Sequence, residues 1–212
     1  MLLAQRIFIQ SYDIMSIAED VSFLFEVGFL RKVARTWSEF LWSDVANVAE
    51  HTLRVAWIAL VLAKYEWCNN GWHILKLALV HDISEIRSVD VHYLTRQYVS
   101  RHEDQAVQDT FSSSSIGDEF VALWKEMSEK ETLEAKIVKD ADILDTNFEL
   151  VEKMYEGHKV AEAWKDECLA VGEKKLFTDS AKQMQIEVWH SNPHARHLFS
   201  MKNRFQGWDY KE

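Results

Sequence analysis

Chain breakers are scarce here: 212 residues hold one proline and six glycines. So few turn-formers argue against a fold of many tight turns and for a mostly helical one. Cysteine is scarce as well. Cys68 and Cys168 lie far apart with no metal-ligand spacing, and read as reduced thiols of a cytosolic protein. Positive charge is in deficit, with 24 Lys and Arg against 34 Asp and Glu, for a net charge of −10. A polyanion would meet net repulsion, so nucleic-acid polymers are not expected as partners. A small anion can still bind where a cation and one or two arginines supply local positive charge. No apolar run approaches the length of a bilayer span. The N-terminus has no basic stretch leading into an apolar one, so neither membrane insertion nor a signal peptide is expected. Glycine-rich phosphate loops, nucleophile elbows, Cys-x-x-Cys patterns, internal repeats and low-complexity runs are all missing.

What remains is ordinary in bulk and unusual in detail. Hydrophobic residues make up 48% and charged residues 27%, as in a soluble globular protein. The length suits one domain over 1–212 with a sizeable core. Nine tryptophans are read mainly as core and interface packing.

The apolar, irregular first twelve residues read as an arm packing on the body or on a second subunit. Asp13 or Ser16 can cap a helix running to about Ala34. Arg35-Thr36-Trp37 follows. It is either a helix end with a basic residue near its carbonyls or a phosphate-binding arginine with an aromatic neighbour. Asn47 and Glu50 have capping-box spacing for a helix to about Trp67, with Val48, Val55, Ile58, Ala59 and Leu62 inward. His51 falls in its first turn, where the helix end favours a neutral imidazole. After the break at Asn69-Asn70-Gly71, a helix from about Trp72 carries apolar residues nearly all round and should be central and buried.

That helix ends in His81-Asp82, with Glu85 one turn on. Adjacent side chains cannot face one way on a helix, but both can reach one metal ion if the helix end is bent. A buried Asp82 needs a cation or a hydrogen-bond network. Asp90 falls in a loop beyond. Polar helices are expected over 96–111, a possible flap anchored by Tyr98, Ala106, Val107 and Phe111, and over 116–127, joined by a linker at 112–115.

The most helix-like segment is 131–156. Asp140 and Asp142 diverge on it by about 160° at roughly 100° per residue, so one of the two at most points into a shared site. On spacing alone both also fit solvated surface. Helices are expected at 159–171 and 179–190, separated by Gly172 and a Thr178/Asp179 cap. His194 and His197 read as surface histidines.

The order His51, His81-Asp82, then an aspartate about sixty residues on resembles the HD-domain superfamily of metal-dependent phosphohydrolases. The flanks Val48-Ala49-Glu50-His51, Val80-His81-Asp82-Ile83-Ser84-Glu85, Asp90 and Val138-Lys139-Asp140-Ala141-Asp142 are similar to its compact branch, which includes 5'-deoxynucleotidases. The likeness covers about residues 30–155, and the C-terminal helical extension from about 158 departs from it.

The resemblance implies an all-α, bundle-like HD fold. It implies one divalent metal (Mn, Co, Fe, Mg or Zn) on His51, His81, Asp82 and Asp142, the last chosen over Asp140 because the family's Lys-x-Ala-Asp run ends on its ligand. It further implies Glu85 at the attacking water, Asp90 near the leaving group, and Arg35 with Trp37 on the substrate, although Thr36 separates a pair that is adjacent in the bacterial nucleotidases. The implied reaction is hydrolysis of the 5'-phosphate of (deoxy)nucleoside monophosphates by a cytoplasmic homodimer. Two alternatives stay open: another phosphate ester (a nucleoside triphosphate or cyclic nucleotide), or a non-catalytic helical metal-binding protein.

Overall fold

The computed structural model describes residues 16–198 and Ser200. The expected N-terminal arm and the Asp13 cap lie outside the described residues. Among those described there is no β-strand, only an isolated bridge between Ala34 and Asn47, and the fold is all-α.

Local chemistry sets the helix starts. Ser16 and Glu19 form a capping box for α1 (Ile17–Val27), and Asn47 with Glu50 does the same for α3 (Val48–Tyr65). In each, two otherwise orphaned N–H groups are satisfied reciprocally. Between them the chain makes a 3-10 turn at Gly28–Lys32, which ends the first helix earlier than its apolar spacing suggests, and the short α2 (Ser38–Leu41). All five residues expected inward on α3 are buried.

With so few glycines, several breaks are made by other residues in the left-handed region: Trp42 (φ 49°), Trp67 (φ 56°) and Lys130 (φ 53°). These residues lack glycine's freedom there, and backbone bonds close the turns, from the Trp42, Cys68 and Lys130 N–H groups to the Ser38, Ala63 and Glu126 carbonyls.

Helix α4 (Gly71–Val80) buries Ile74, Leu77, Ala78 and Val80 but leaves Trp72 and Leu79 exposed. It is therefore a wall of the core rather than its fully enclosed centre. Helices α5 (Glu85–Ser88), α6 (Glu103–Phe111) and α7 (Gly117–Glu129) follow. The sixth starts later than expected, after a 3-10 turn at Thr95–Gln97, and Tyr98, an expected anchor, is exposed.

The organising element is α8 (Leu133–Tyr155), whose cap Thr132 accepts from the Ala135 N–H. It packs on α3, α4 and α7 and on three C-terminal helices: α9 (Lys159–Ala163), α10 (Lys165–Lys175) and α11 (Asp179–His190). Gly172 does not divide the C-terminal segment. It lies inside α10, where a Cβ would stand 2.0 Å from Gln185 Oε1. Gln185 is itself buried and donates to Asn147 and to the Cys168 carbonyl. The glycine is there for close helix approach, and the break falls at Leu176, after which Thr178 caps α11.

Asp140 also departs from expectation. It is completely buried and accepts from the Phe177 N–H (2.7 Å), the Thr178 N–H (2.9 Å) and the Thr178 hydroxyl (2.7 Å). Burial, partly offset by these bonds, raises its pKa. The two aspartates do diverge: Asp140 ties the C-terminal helices to α8, and Asp142 faces elsewhere.

Candidate metal centre and adjoining cavity

Three chain segments converge on one point. His51 comes from the first turn of α3 and is fully buried. Helix α4 ends at Val80, and residues 81–84 form a tight turn, the bend that lets His81 and Asp82 point together. Asp142 projects from the middle of α8. Ligand atoms of His51, His81, Asp82 and Asp142 all lie within 4.8 Å of one another, and this group could hold a metal ion.

The partners of the outer ring nitrogens show what the centre requires. His51 Nδ1 lies 2.6 Å from Asp145 Oδ2, and His81 Nδ1 lies 2.7 Å from the Ala78 carbonyl oxygen. Each acceptor calls for an N–H on Nδ1, which leaves a lone pair on each Nε2. Those two Nε2 atoms are 3.1 Å apart. Asp82 Oδ2 is 3.3 Å from both, and Asp142 Oδ1 is 3.3 Å from His51 Nε2. Lone pairs and carboxylates so crowded repel unless a positive charge sits among them.

Electrostatics at each residue agree. Burial and Arg35 both disfavour a charged His51, yet hydrogen bonds to Asp142, Asp145 and Asp82 raise its pKa well above the ordinary value. Three carboxylates thus call for a positive charge at His51, which either a proton or a metal ion at Nε2 answers. Asp82 and Asp142 are held well below the carboxylate range. Burial opposes this in both. His81 is the main opposing charge for Asp82, and Lys139, 2.5 Å from Asp142 Oδ2, for Asp142. Two imidazoles and two ionised carboxylates form a hard-to-borderline donor set that suits a divalent metal.

Around the centre, Glu85 opens α5 and is buried, with Oε2 lacking any partner. Burial first, then the Asp82 and Asp90 carboxylates, push its carboxyl up to about 9, a proton affinity that a neighbouring cation lowers. Arg35 places Nη1 3.5 Å from Asp82 and 3.3 Å from Asp90. Burial works against its charge, but these carboxylates, with Asp142 and Glu85, more than offset that.

Thr36, the residue that separates the arginine from the tryptophan, has its own task. Its N–H donates to Asp90 Oδ2 (3.1 Å), with its hydroxyl 3.4 Å away. The bond orients Asp90 beside Val89, a β-branched residue at φ 52°, the kind of strain that surrounding structure must hold in place.

These groups open onto a cavity of about 490 Å³, within the range of small-molecule sites. Arg35, Trp37, Asp82, Glu85, Asp90 and Asp142 all line it. All eight residues singled out in the sequence are therefore brought to one place.

A sequence profile of the HD domain matches residues 27–185. The chain belongs to the HD-domain family. Among curated HD-domain relatives, it is similar to the 5'-deoxynucleotidase HDDC2 of Bos taurus, at 32% identity over 128 residues, covering 58% of this chain and 62% of that protein. The corresponding protein of Homo sapiens is 30% identical over 128 residues, covering 58% and 62%. The chain thus spans somewhat less than two thirds of the length of these relatives.

Among solved structures, a conserved hypothetical protein from Pyrococcus furiosus aligns with a TM-score of 0.69 at 25% identity, covering 81% of this chain and 99% of that one. An HD-domain phosphohydrolase from Listeria innocua shares the fold, with a TM-score of 0.57 at 20% identity, covering 87% and 91%.

Several neighbours of the HD motif escaped the sequence reading. Asp145 stands on the same stripe of α8 as Asp142 but is aimed at the far side of His51. Burial opposes its charge, and His51 and Arg54 hold its pKa below the usual value. The Arg54 guanidinium bonds Asp145 through Nε and Glu152 through Nη1 (2.8 Å). Asp145 follows Asp142 by three residues on α8, but its pairing with a residue 94 positions away has no local signal. Arg101, at 3.7 Å from Glu85, carried no local signal at all. Among the described residues no helix is long and apolar enough to cross a membrane.

Proposed function

We propose that this protein is a metal-dependent phosphohydrolase that removes the 5'-phosphate from (deoxy)nucleoside monophosphates. One observation carries the reading: Glu85, Asp90 and Arg35 stand around the four-residue donor cluster at one end of a cavity of small-molecule size. A purely structural metal site would need none of the three. The names of the HDDC2 relatives support the substrate class.

His51, His81, Asp82 and Asp142 would hold one divalent ion (Mn, Co, Fe, Mg or Zn). When bound, such an ion supplies Lewis acidity that acidifies water and screens phosphate charge. Asp145 and Arg54 fix the His51 tautomer so that Nε2 presents its lone pair. Glu85 orients the attacking water and takes its proton. Arg35 holds the non-bridging phosphate oxygens by charge-assisted hydrogen bonds. Asp90, when protonated, donates to the departing nucleoside oxygen as the phosphorus–oxygen bond to it breaks. Little covalent work falls to the protein, so positioning and charge stabilisation dominate.

Purified protein supplied with Mn or Co is expected to release inorganic phosphate from deoxynucleoside monophosphates. No release from any nucleoside monophosphate in a full panel would end the substrate assignment, and release only from triphosphates or cyclic nucleotides would favour the alternative esters. Retained stoichiometric metal in His81→Ala or Asp82→Ala protein would sink the ligand assignment. Asp145→Asn should weaken metal affinity roughly 10- to 100-fold, read by competition with a chromophoric chelator.

We also propose that the chain acts as one domain and as a cytoplasmic homodimer. The profile match running from 27 to 185 supports the first. The two free thiols support a reducing compartment. The exposed stripe Leu53, Trp57 and Val61 on α3 supports self-association, which sedimentation equilibrium would test.

A further inference from the structure

Helix α10 carries none of the candidate metal ligands, yet with Trp164 it walls the cavity. Its floor is a stripe of α8: Lys139, Asp142, Ile143, Thr146, Asn147 and Leu150. At 1.5 Å per residue this stripe runs about 16 Å, from the metal centre to an apolar end. The opposite wall is a second stripe at helical spacing, Trp164, Cys168, Val171 and Lys175.

The two helices run in opposite directions. Trp164, at the start of α10, packs in the same apolar cluster as Leu150. The chain just past the end of α10 is tied to Asp140 through the Phe177 N–H. Lys175 is therefore at the charged end, and Trp164 is at the end farthest from the donor cluster.

That far end is aromatic. Trp164 meets Trp37 edge-on at 5.6 Å between ring centroids and Phe40 at 5.6 Å, and Trp37 Nε1 is a buried donor with no partner. The cavity thus has a charged head, a span of roughly the length of a phosphate and a sugar, and an aromatic tail pocket with one unused donor. This is the shape of a nucleotide, and its tail pocket joins Trp37, Phe40 and Leu150 to Trp164 at the start of α10.

We propose that Trp164, with Trp37 and Leu150, forms the compartment that holds the nucleobase, so that α10 determines whether a phosphate ester carrying a base is taken. The inference rests on the reading of the cavity as a nucleotide site, but it can be tested without any reaction. The ring of Trp164 supplies stacking area, which is tolerant of base identity. Trp37 Nε1 offers a hydrogen bond to a ring nitrogen or carbonyl of the base.

The test is isothermal titration of full-length protein with deoxyadenosine, which has no phosphate and needs no catalysis. Wild type should bind it. Trp164→Ala should weaken binding roughly 5- to 150-fold, and Trp164→Phe should recover part of the loss. Val171→Glu, at the partly exposed rim of the same wall, should also weaken binding if Trp164→Ala fails to fold.

A second arm compares deoxyadenosine monophosphate with 2-deoxyribose 5-phosphate as substrates. The wild-type preference for the ester with a base, in kcat/KM, should collapse toward one in Trp164→Ala. Unchanged deoxyadenosine affinity in well-folded Trp164→Ala, or no binding by wild type at millimolar nucleoside, overturns the proposal. Trp164-dependent nucleoside binding without phosphate release from any nucleotide keeps the base compartment and removes the phosphohydrolase reading instead.

Discussion

Glu85→Gln should lower kcat for phosphate release from a deoxynucleoside monophosphate by roughly 100- to 10,000-fold while leaving one divalent metal per chain. The side chain is buried and one of its oxygens has no partner. An amide fills the same space, so the core should not collapse. What is lost is proton affinity. Burial and two neighbouring carboxylates make this carboxyl unusually basic, and glutamine cannot take a proton. Single-turnover kinetics, alongside metal analysis of the same preparation, separate this from loss of the centre. If Glu85→Gln keeps more than a tenth of wild-type kcat, Glu85 is not the group that handles the water.

Arg35→Met should have two effects of opposite metal dependence. Arg35 is the cation between Asp82 and Asp90, and its side chain is only 8% exposed. Removing it strands buried carboxylates, which typically costs about 3–5 kcal/mol. In chelator the melting temperature should fall sharply. With excess Mn part of that loss should return, because a divalent cation beside Asp82 relieves the same repulsion. Activity should not return with stability. Loss of the group that grips the phosphate oxygens should lower kcat/KM by roughly 100- to 1,000-fold at saturating metal. A variant equally unstable with and without metal would separate Arg35 from the centre electrically. A variant that keeps full activity would remove it from the substrate site.

Much of the fold was legible because its signals are local. Asn47 and Glu50 are three residues apart, and the inward face of α3 repeats within one helix, so sequence spacing alone carries them. The all-α class follows from the same periodicities. The HD family was legible because His51, His81-Asp82 and Asp142 sit in short flanks of recognisable type.

What stayed hidden depends on contacts between distant segments. Thr36 looked like an interruption in an arginine–tryptophan pair, and its bond to Asp90 spans 54 positions. Asp140 looked like solvated surface because its partners, Phe177 and Thr178, lie 37 and 38 positions on. Gly172 looked like a stop signal, and its real constraint is the side chain of Gln185 on another helix. In each case the residue type was compatible with two environments, and only tertiary packing decided between them.

The clasp at Asp140 also bears on how this molecule can be shortened. A chain cut after Tyr155 keeps every candidate metal ligand, and on paper it is the minimal fragment. In it, however, the carboxylate that now accepts three hydrogen bonds has none, two residues from Asp142 on the same helix. The α8 residues buried against the lost helices, Leu150 and Val151 among them, are bared to water along the element that carries the centre. The smallest piece of this protein that stays folded is therefore longer than the stretch that holds its candidate metal ligands, and a usable boundary lies beyond α11.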